Sequence, residues 1–270
     1  MQAPLPKSYT NYLGRRLFRF LLTVQGLVAF ALITLGVILT KWRTAQNVTL
    51  PQVFREIRRS GLNLIPMFLF MSTALGLMVI GQAVSRLSQV GAVSSFLGPI
   101  MVAVVVREIG PLLTAMLVLS RSGTANVIEL GTARALGEVE ALETLSVDPV
   151  HFLVMPRVIG MALGVFGLTI YFIAGALLSG YLWAFLQNVP LRPGDYFQQL
   201  ADGLSWIDFA ILVAKSCLFG IVIAVITCYH GLAQPLYLED ISRATIRAVV
   251  QSIIACVALD ALFLFIYLTV

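Results

Sequence analysis

Residues 158–191 read VIGMALGVFGLTIYFIAGALLSGYLWAFLQNVPL, 34 positions without an Asp, Glu, Lys or Arg. A helix needs only about 20 apolar residues to cross the hydrocarbon of a bilayer, so this stretch alone decides the solvent of the protein. Charge-free runs also cover 20–40, 62–85 and 87–106, and the apolar segments 209–229 and 248–270 are each interrupted by a single charge, Lys215 and Asp260. Over the whole chain 59% of residues are hydrophobic and 11% charged. A soluble domain of 270 residues must show water more polar surface than that. Alternating ten-residue amphipathic strands are absent, which excludes an outer-membrane barrel. Helices must therefore satisfy the backbone in lipid, and the fold class is an all-α polytopic membrane protein.

Sidedness follows from the basic residues, because cytoplasmic loops carry the excess of Lys and Arg. Five spans at about 62–85, 93–119, 158–187, 207–229 and 247–270, with a cytoplasmic N-terminus, leave only Arg86 and Arg192 outside and Arg107 and Lys215 in the membrane. The other 14 of the 18 basic residues then lie in the cytoplasm, and the C-terminus is periplasmic. The run 20–40 has basic flanks on both sides, Lys7, Arg15, Arg16 and Arg19 before it and Lys41, Arg43, Arg55, Arg58 and Arg59 after. Crossing would place one flank outside, so the run is read as an interfacial or re-entrant helix, with a sixth span as the alternative. No small-x-small cleavage site follows it, and it is expected to be retained. Pro193-Gly194 predicts a turn in the outer loop, whose acids include Asp195, Asp202 and Asp208, and Trp183 and Trp206 bracket that loop at interfacial depth. Asp148-Pro149 predicts an N-cap and first helical position. Gly160 and Gly164, followed by Gly167, Gly175 and Gly180, give the third span a small-residue face for close helix contact.

The net charge of +5 fits this orientation, and no basic cluster with interleaved aromatics points to nucleic acid. Cys217, Cys228 and Cys256 lie in apolar segments, and His151 and His230 stand alone, so neither disulfides nor a metal site are expected. The chemistry-bearing residues are the ionisable groups in the bilayer: Arg107, Glu108, Lys215 and Asp260. Two readings suit them. They form an internal ion-pair network that pins helices together, or Arg107, Glu108 and Lys215 line a cavity that receives a lipid headgroup while Asp260 is structural. The inner loop, about 126–147, reads as one amphipathic helix with Leu136, Val139, Leu142 and Leu145 at helical spacing and Glu129, Glu138, Glu140 and Glu143 between them. Acidic residues suit an anionic leaflet poorly, so a partner protein's groove is the expected berth. There is no phosphate-binding GxxxxGK[ST] loop, and an energy source must come from another chain or an ion gradient.

Arg107-Glu108-Ile109-Gly110-Pro111-Leu112-Leu113-Thr114-Ala115, Glu129-Leu130-Gly131-Thr132, Glu140-Ala141-Leu142-Glu143, Val147-Asp148-Pro149 and Pro156-Arg157 together resemble the MlaE/YrbE-type permeases. Lys215-Ser216, Ile241-Ser242-Arg243-Ala244-Thr245, Arg247-Ala248-Val249-Val250 and Asp260 extend the resemblance towards the C-terminus. It implies a single permease domain over 1–270, with an interfacial region at 1–60 and a transmembrane core at 61–270. It further implies the non-catalytic subunit of an ABC transporter that moves lipids between membranes. The implied partners are a separate ATPase carrying ATP and Mg, an MCE-domain substrate-binding protein, and a second copy of the chain. Glu138, Val139, Glu140, Leu142, Glu143, Leu145 and Asp148 are the expected ATPase-coupling residues, and Arg107, Glu108 and Lys215 the expected substrate-binding ones. A bacterial or cyanobacterial inner membrane and a plastid inner envelope both suit the resemblance. Gly137 departs from the family pattern and is expected to cost up to about 1 kcal/mol inside a helix. The competing class is an ion-coupled secondary transporter or channel.

Overall fold

The computed structural model describes residues 7–41, 46–90, 98, 100–186, 193–232 and 237–269. Among them there is no strand. The helices in chain order are α1 (Lys7–Lys41), α2 (Gln46–Ser60), α3 (Ile65–Val90), α4 (Val102–Ala135), α5 (Glu138–Thr144), α6 (Val150–Leu186), α7 (Pro193–Gly203), α8 (Trp206–Leu232) and α9 (Ile241–Thr269). Windows in α1, α2–α3, α4, α6, α8 and α9 are long and apolar enough to cross a membrane. The expected spans are all helical in the residues described. Residues 93–97 and 187–192, and the C-terminal Val270, lie outside those residues.

The core is built where α3 packs on α6, α6 on α8, and α8 on α9 and the second half of α4. Phe68 and Phe172 meet edge to face at 6.1 Å between ring centres, and Met161, Val165, Phe219 and Ile223 fill the space around them. Small residues set the spacing. A β-carbon on Gly220 would lie 2.6 Å from the Ala162 Cα, so α6 and α8 touch backbone to backbone. Gly160 and Gly164 do the same for a different neighbour: a β-carbon would lie 2.6 Å from Glu56 Cβ and 2.9 Å from Ser60 Oγ, so this face seats the amphipathic α2. Gly167 faces open space and takes no part.

α4 and α6 outgrow a bilayer. Their 34 and 37 residues make rods of about 51 and 55 Å against a hydrocarbon thickness of about 30 Å. Here the structure corrects the expected boundaries. The helix of the second span does not end near 119, and 126–147 is not one inner-loop helix. Asn126, Val127, Leu130 and Gly131 are buried against α8 and α9, which prolongs α4 to Ala135. The helix then stops because Gly137 takes a left-handed φ of 78°. A left-handed glycine is an ordinary helix terminator, so Gly137 carries none of the cost expected of a glycine in a helix interior. Only the short α5 remains of the inner-loop helix, closed by Ser146 at φ 59°.

Asp148 caps α6 as expected, its side chain accepting from the Val150 N–H at 3.0 Å. Pro193 opens α7 instead of a turn, since proline suits the first helical position. α7 lies over the far end of the bundle, with Tyr196 and Leu200 buried among Met101, Val102, Val105, Ala176 and Ala184. The Tyr196 hydroxyl donates to the Leu177 carbonyl at 3.2 Å, and burial pushes the phenol up to about 12. α1 is peripheral. Phe30 packs on Tyr229, close to the Leu232 end of α8, and α1 also touches the π-helical turn Val150–Val154 that begins α6. α6 and α8 are antiparallel, so both contacts lie at one end of the bundle, the end rich in arginine.

Candidate functional site

Pro111 has no N–H to offer the Arg107 carbonyl four residues before it, and α4 is π-helical from Val102 to Ile109. Lys215 of α8 supplies a donor. Its Nζ donates to the Arg107 carbonyl at 2.9 Å, lies 3.3 Å from Glu108 Oε2 and 2.6 Å from Asp260 Oδ1 on α9. The ammonium donates two hydrogen bonds and forms an ion pair with Asp260, and its side chain is 1% exposed. An unpaired charge at this depth is costly, and the two carboxylates remove that cost.

Arg107 turns the other way. Its Nη2 donates to Asp208 Oδ2 at 2.9 Å, and its guanidinium lies 5.2 Å from the Tyr267 ring centre, a cation–π distance. Asp208 is itself built in: it accepts from Ser205 N at 2.9 Å and Ser205 Oγ at 3.0 Å, and its own N–H reaches back to Ser205 Oγ. That reciprocal pair is the capping box that starts α8. The cluster thus draws on α4, α8 and α9 near the end opposite the arginine-rich one. Arg107 and Glu108 remain partly open, with side chains 34% and 30% exposed, whereas Lys215 is enclosed.

Of the expected trio, the Lys215 and Glu108 side chains meet and Lys215 joins Asp260 as the network reading anticipated, whereas the Arg107 side chain points away to Asp208. Two participants escaped the sequence reading: Tyr267, and Asp208, which was counted among the acids of the outer loop. The Ser205-x-x-Asp208 spacing is the signal that could have found Asp208, and Pro111 is the signal for the carbonyl that Lys215 takes.

A second cluster ties the arginine-rich end. Arg59 of α2 forks onto Glu129 of α4, with Nη1 donating at 2.6 Å, and Arg157 of α6 reaches the same carboxylate at 3.3 Å. Below it hangs α5. Val139 is 1% exposed, so it packs against this chain and offers nothing to a partner. Glu140 pairs with Arg134 at 3.1 Å and bolts α5 to the end of α4. Leu142 is half-buried, while Glu138, Glu143 and Leu145 face outwards, Leu145 at 73%. Asp148 serves as the cap of α6.

Among known proteins, the family profile described as Permease MlaE matches residues 53–266. The chain is 27% identical to a probable ABC transporter permease protein of Rickettsia felis over 245 residues, covering 91% of this chain and 92% of that one. It is 36% identical to a probable ABC transporter permease protein of Synechocystis over 154 residues, 55% of this chain and 56% of that one. It is also 29% identical over 169 residues, 61% of this chain and 63% of that one, to the intermembrane phospholipid transport system permease protein MlaE of Haemophilus influenzae.

Proposed function

The chain belongs to the MlaE permease family, and from that premise we propose that it is the membrane-spanning subunit of an ABC transporter that moves phospholipids or related glycerolipids between membranes. The arginine-rich end faces the cytoplasm, where a separate ATPase binds ATP and Mg and hydrolyses the nucleotide. An MCE-domain protein and a second copy of this chain complete the assembly. The relatives' names support transport of this kind, and the basic residues support the orientation.

One observation carries the coupling role. α5 is a seven-residue helix set off by a left-handed Gly137 and a left-handed Ser146, bolted to α4 by Arg134–Glu140, with Leu136, Glu138, Glu143 and Leu145 facing out. An apolar and acidic knob of this shape fits a groove with a basic rim. Headgroup binding falls to Arg107 and Glu108, the open members of the outer cluster. A cation and a carboxylate on adjacent residues suit a zwitterionic headgroup, phosphate on Arg107 and amine on Glu108, while Lys215 holds Glu108 in place.

Leu145→Arg tests the coupling role. The side chain is exposed, so the protein should insert at its usual level, while the amount of ATPase that co-purifies should fall at least tenfold. Full retention of the ATPase by that variant would reject α5 as the coupling element.

A further inference from the structure

α1 packs on α8 and on the start of α6, and between it and α9 there is a groove of about 370 Å³. Leu27 and Ala31 of α1, Val222 and Ile226 of α8, and Gln251 and Ala258 of α9 are among its walls. Among the described residues Gln251 is its one polar lining residue. The volume lies within the roughly 300–1,000 Å³ of small-molecule sites. An apolar cavity of this kind stays dry, so its natural filling is hydrocarbon.

The register of α9 shows how that hydrocarbon would be tethered. At 100° per residue, Arg243, Gln251, Ile254 and Ala258 all fall within about 40° of Arg247 on the helix surface. Gln251, Ile254 and Ala258 line the groove, so Arg247 and Arg243 continue the same stripe one and two turns towards the arginine-rich end. Both arginines are exposed, and among the described residues Arg243 has a loose 3.8 Å pair with Asp240. The Gln251 carbonyl is taken by His230 Nε2 at 2.6 Å, which leaves its NH2 group as a donor. Along about 17 Å of α9 from Arg247 to Ala258 the stripe therefore runs cation, amide, hydrocarbon. That is the order of phosphate, ester and tail in a glycerophospholipid entering from that leaflet.

We propose that this groove holds one anionic glycerophospholipid of the leaflet at the arginine-rich end, with a tail between α1 and α9 and its phosphate on Arg247 and Arg243. The lipid is a resident ligand that completes the packing of α1, separate from the Arg107–Glu108 site. The proposal rests only on membrane embedding, so it stands whatever the transporter carries.

The test is photo-crosslinking of the full-length protein in nanodiscs of phosphatidylcholine and phosphatidylglycerol. p-Benzoylphenylalanine replaces Val28, which lines the groove, or Leu35, which is exposed elsewhere on α1, and adducts are weighed by mass spectrometry. At position 28 the phosphatidylglycerol share of the adducts should exceed that at position 35 by at least threefold. Arg247→Glu, an exposed change that leaves the groove open, should erase the enrichment, and Ala258→Trp should suppress the position-28 adduct altogether. Equal lipid shares at both positions, enrichment that survives Arg247→Glu, or an adduct to a second copy of the chain would each overturn the proposal.

Discussion

Lys215 of α8 and Arg107 of α4 belong to one network yet differ in what their loss leaves behind. Removing Lys215 strands the Asp260 carboxylate and the Arg107 carbonyl and leaves the half-open Glu108 without its cation, and stranding a buried partner costs roughly 3–5 kcal/mol. Removing Arg107 leaves Asp208 with both Ser205 bonds. The expected outcome is that Lys215→Met sharply lowers the yield and thermal midpoint of the detergent-solubilised protein, while Arg107→Ala assembles normally and loses lipid-stimulated ATPase activity in the complex. Collapse of Arg107→Ala, with Lys215→Met unharmed, would reverse the two roles. Tyr196 carries a pH dependence. Its folded phenol titrates at about 12, above the ordinary 10. The folded state therefore holds the proton more tightly, its full stability is present below pH 10, and that stability is lost as pH rises through 12. Release of α7, followed by its protease sensitivity, should appear in that window, and Tyr196→Phe should remove the dependence. An unchanged profile in the variant would assign it to another group. At this scale the charges themselves were legible, because four ionisable groups in apolar runs cannot be ignored. Asp208 was not, since an acid just past an interfacial tryptophan reads as a loop residue until its arginine is found.

Among the elements, α2 is seated by absent side chains. Its Glu56 and Ser60 rest on Gly160 and Gly164, and added volume there forces backbones apart. Overpacking of this kind costs typically 1–3 kcal/mol. In a Ser60→Cys background, where the position is fully buried, Gly164→Leu should raise maleimide labelling several-fold. Unchanged labelling would mean that α2 is held by its Arg59–Glu129 link alone. The GxxxG spacing announced a close contact in the sequence but could not name the partner, because small residues specify distance and not identity. The extent of α4 was hidden for a related reason. Past Leu119 the chain turns polar, as it does on leaving lipid, yet Val127 and Leu130 go on being buried by α8 and α9. Polarity marks the edge of the membrane and not the end of the helix.

For the whole molecule, the unsettled matter in the sequence was whether α1 crosses the bilayer. Its contacts with Tyr229 and with Val150–Val154 lie at the arginine-rich end, while Leu27 and Ala31 line a groove with Val222 and Ala258, and we expect it to enter the bilayer without crossing. A single cysteine at Gln2, ahead of the run, should therefore react with a membrane-impermeant maleimide only from the cytoplasmic side, and labelling from outside would establish a sixth crossing. The remaining spans were legible because each carries an apolar run with the basic excess on one side, whereas the apolar run of α1 has basic clusters on both flanks. The length of α4 has a mechanical meaning. It is a lever of about 51 Å with Arg107 near one tip and, at the other, Arg134 clasping α5. A tilt of about 5° around its middle moves each tip by about 2 Å in opposite senses. A displacement of that size at the Arg107 tip lengthens the 2.9 Å contact with Asp208 past the reach of a hydrogen bond. On that geometry a push on α5 would act as a seesaw stroke at the far side.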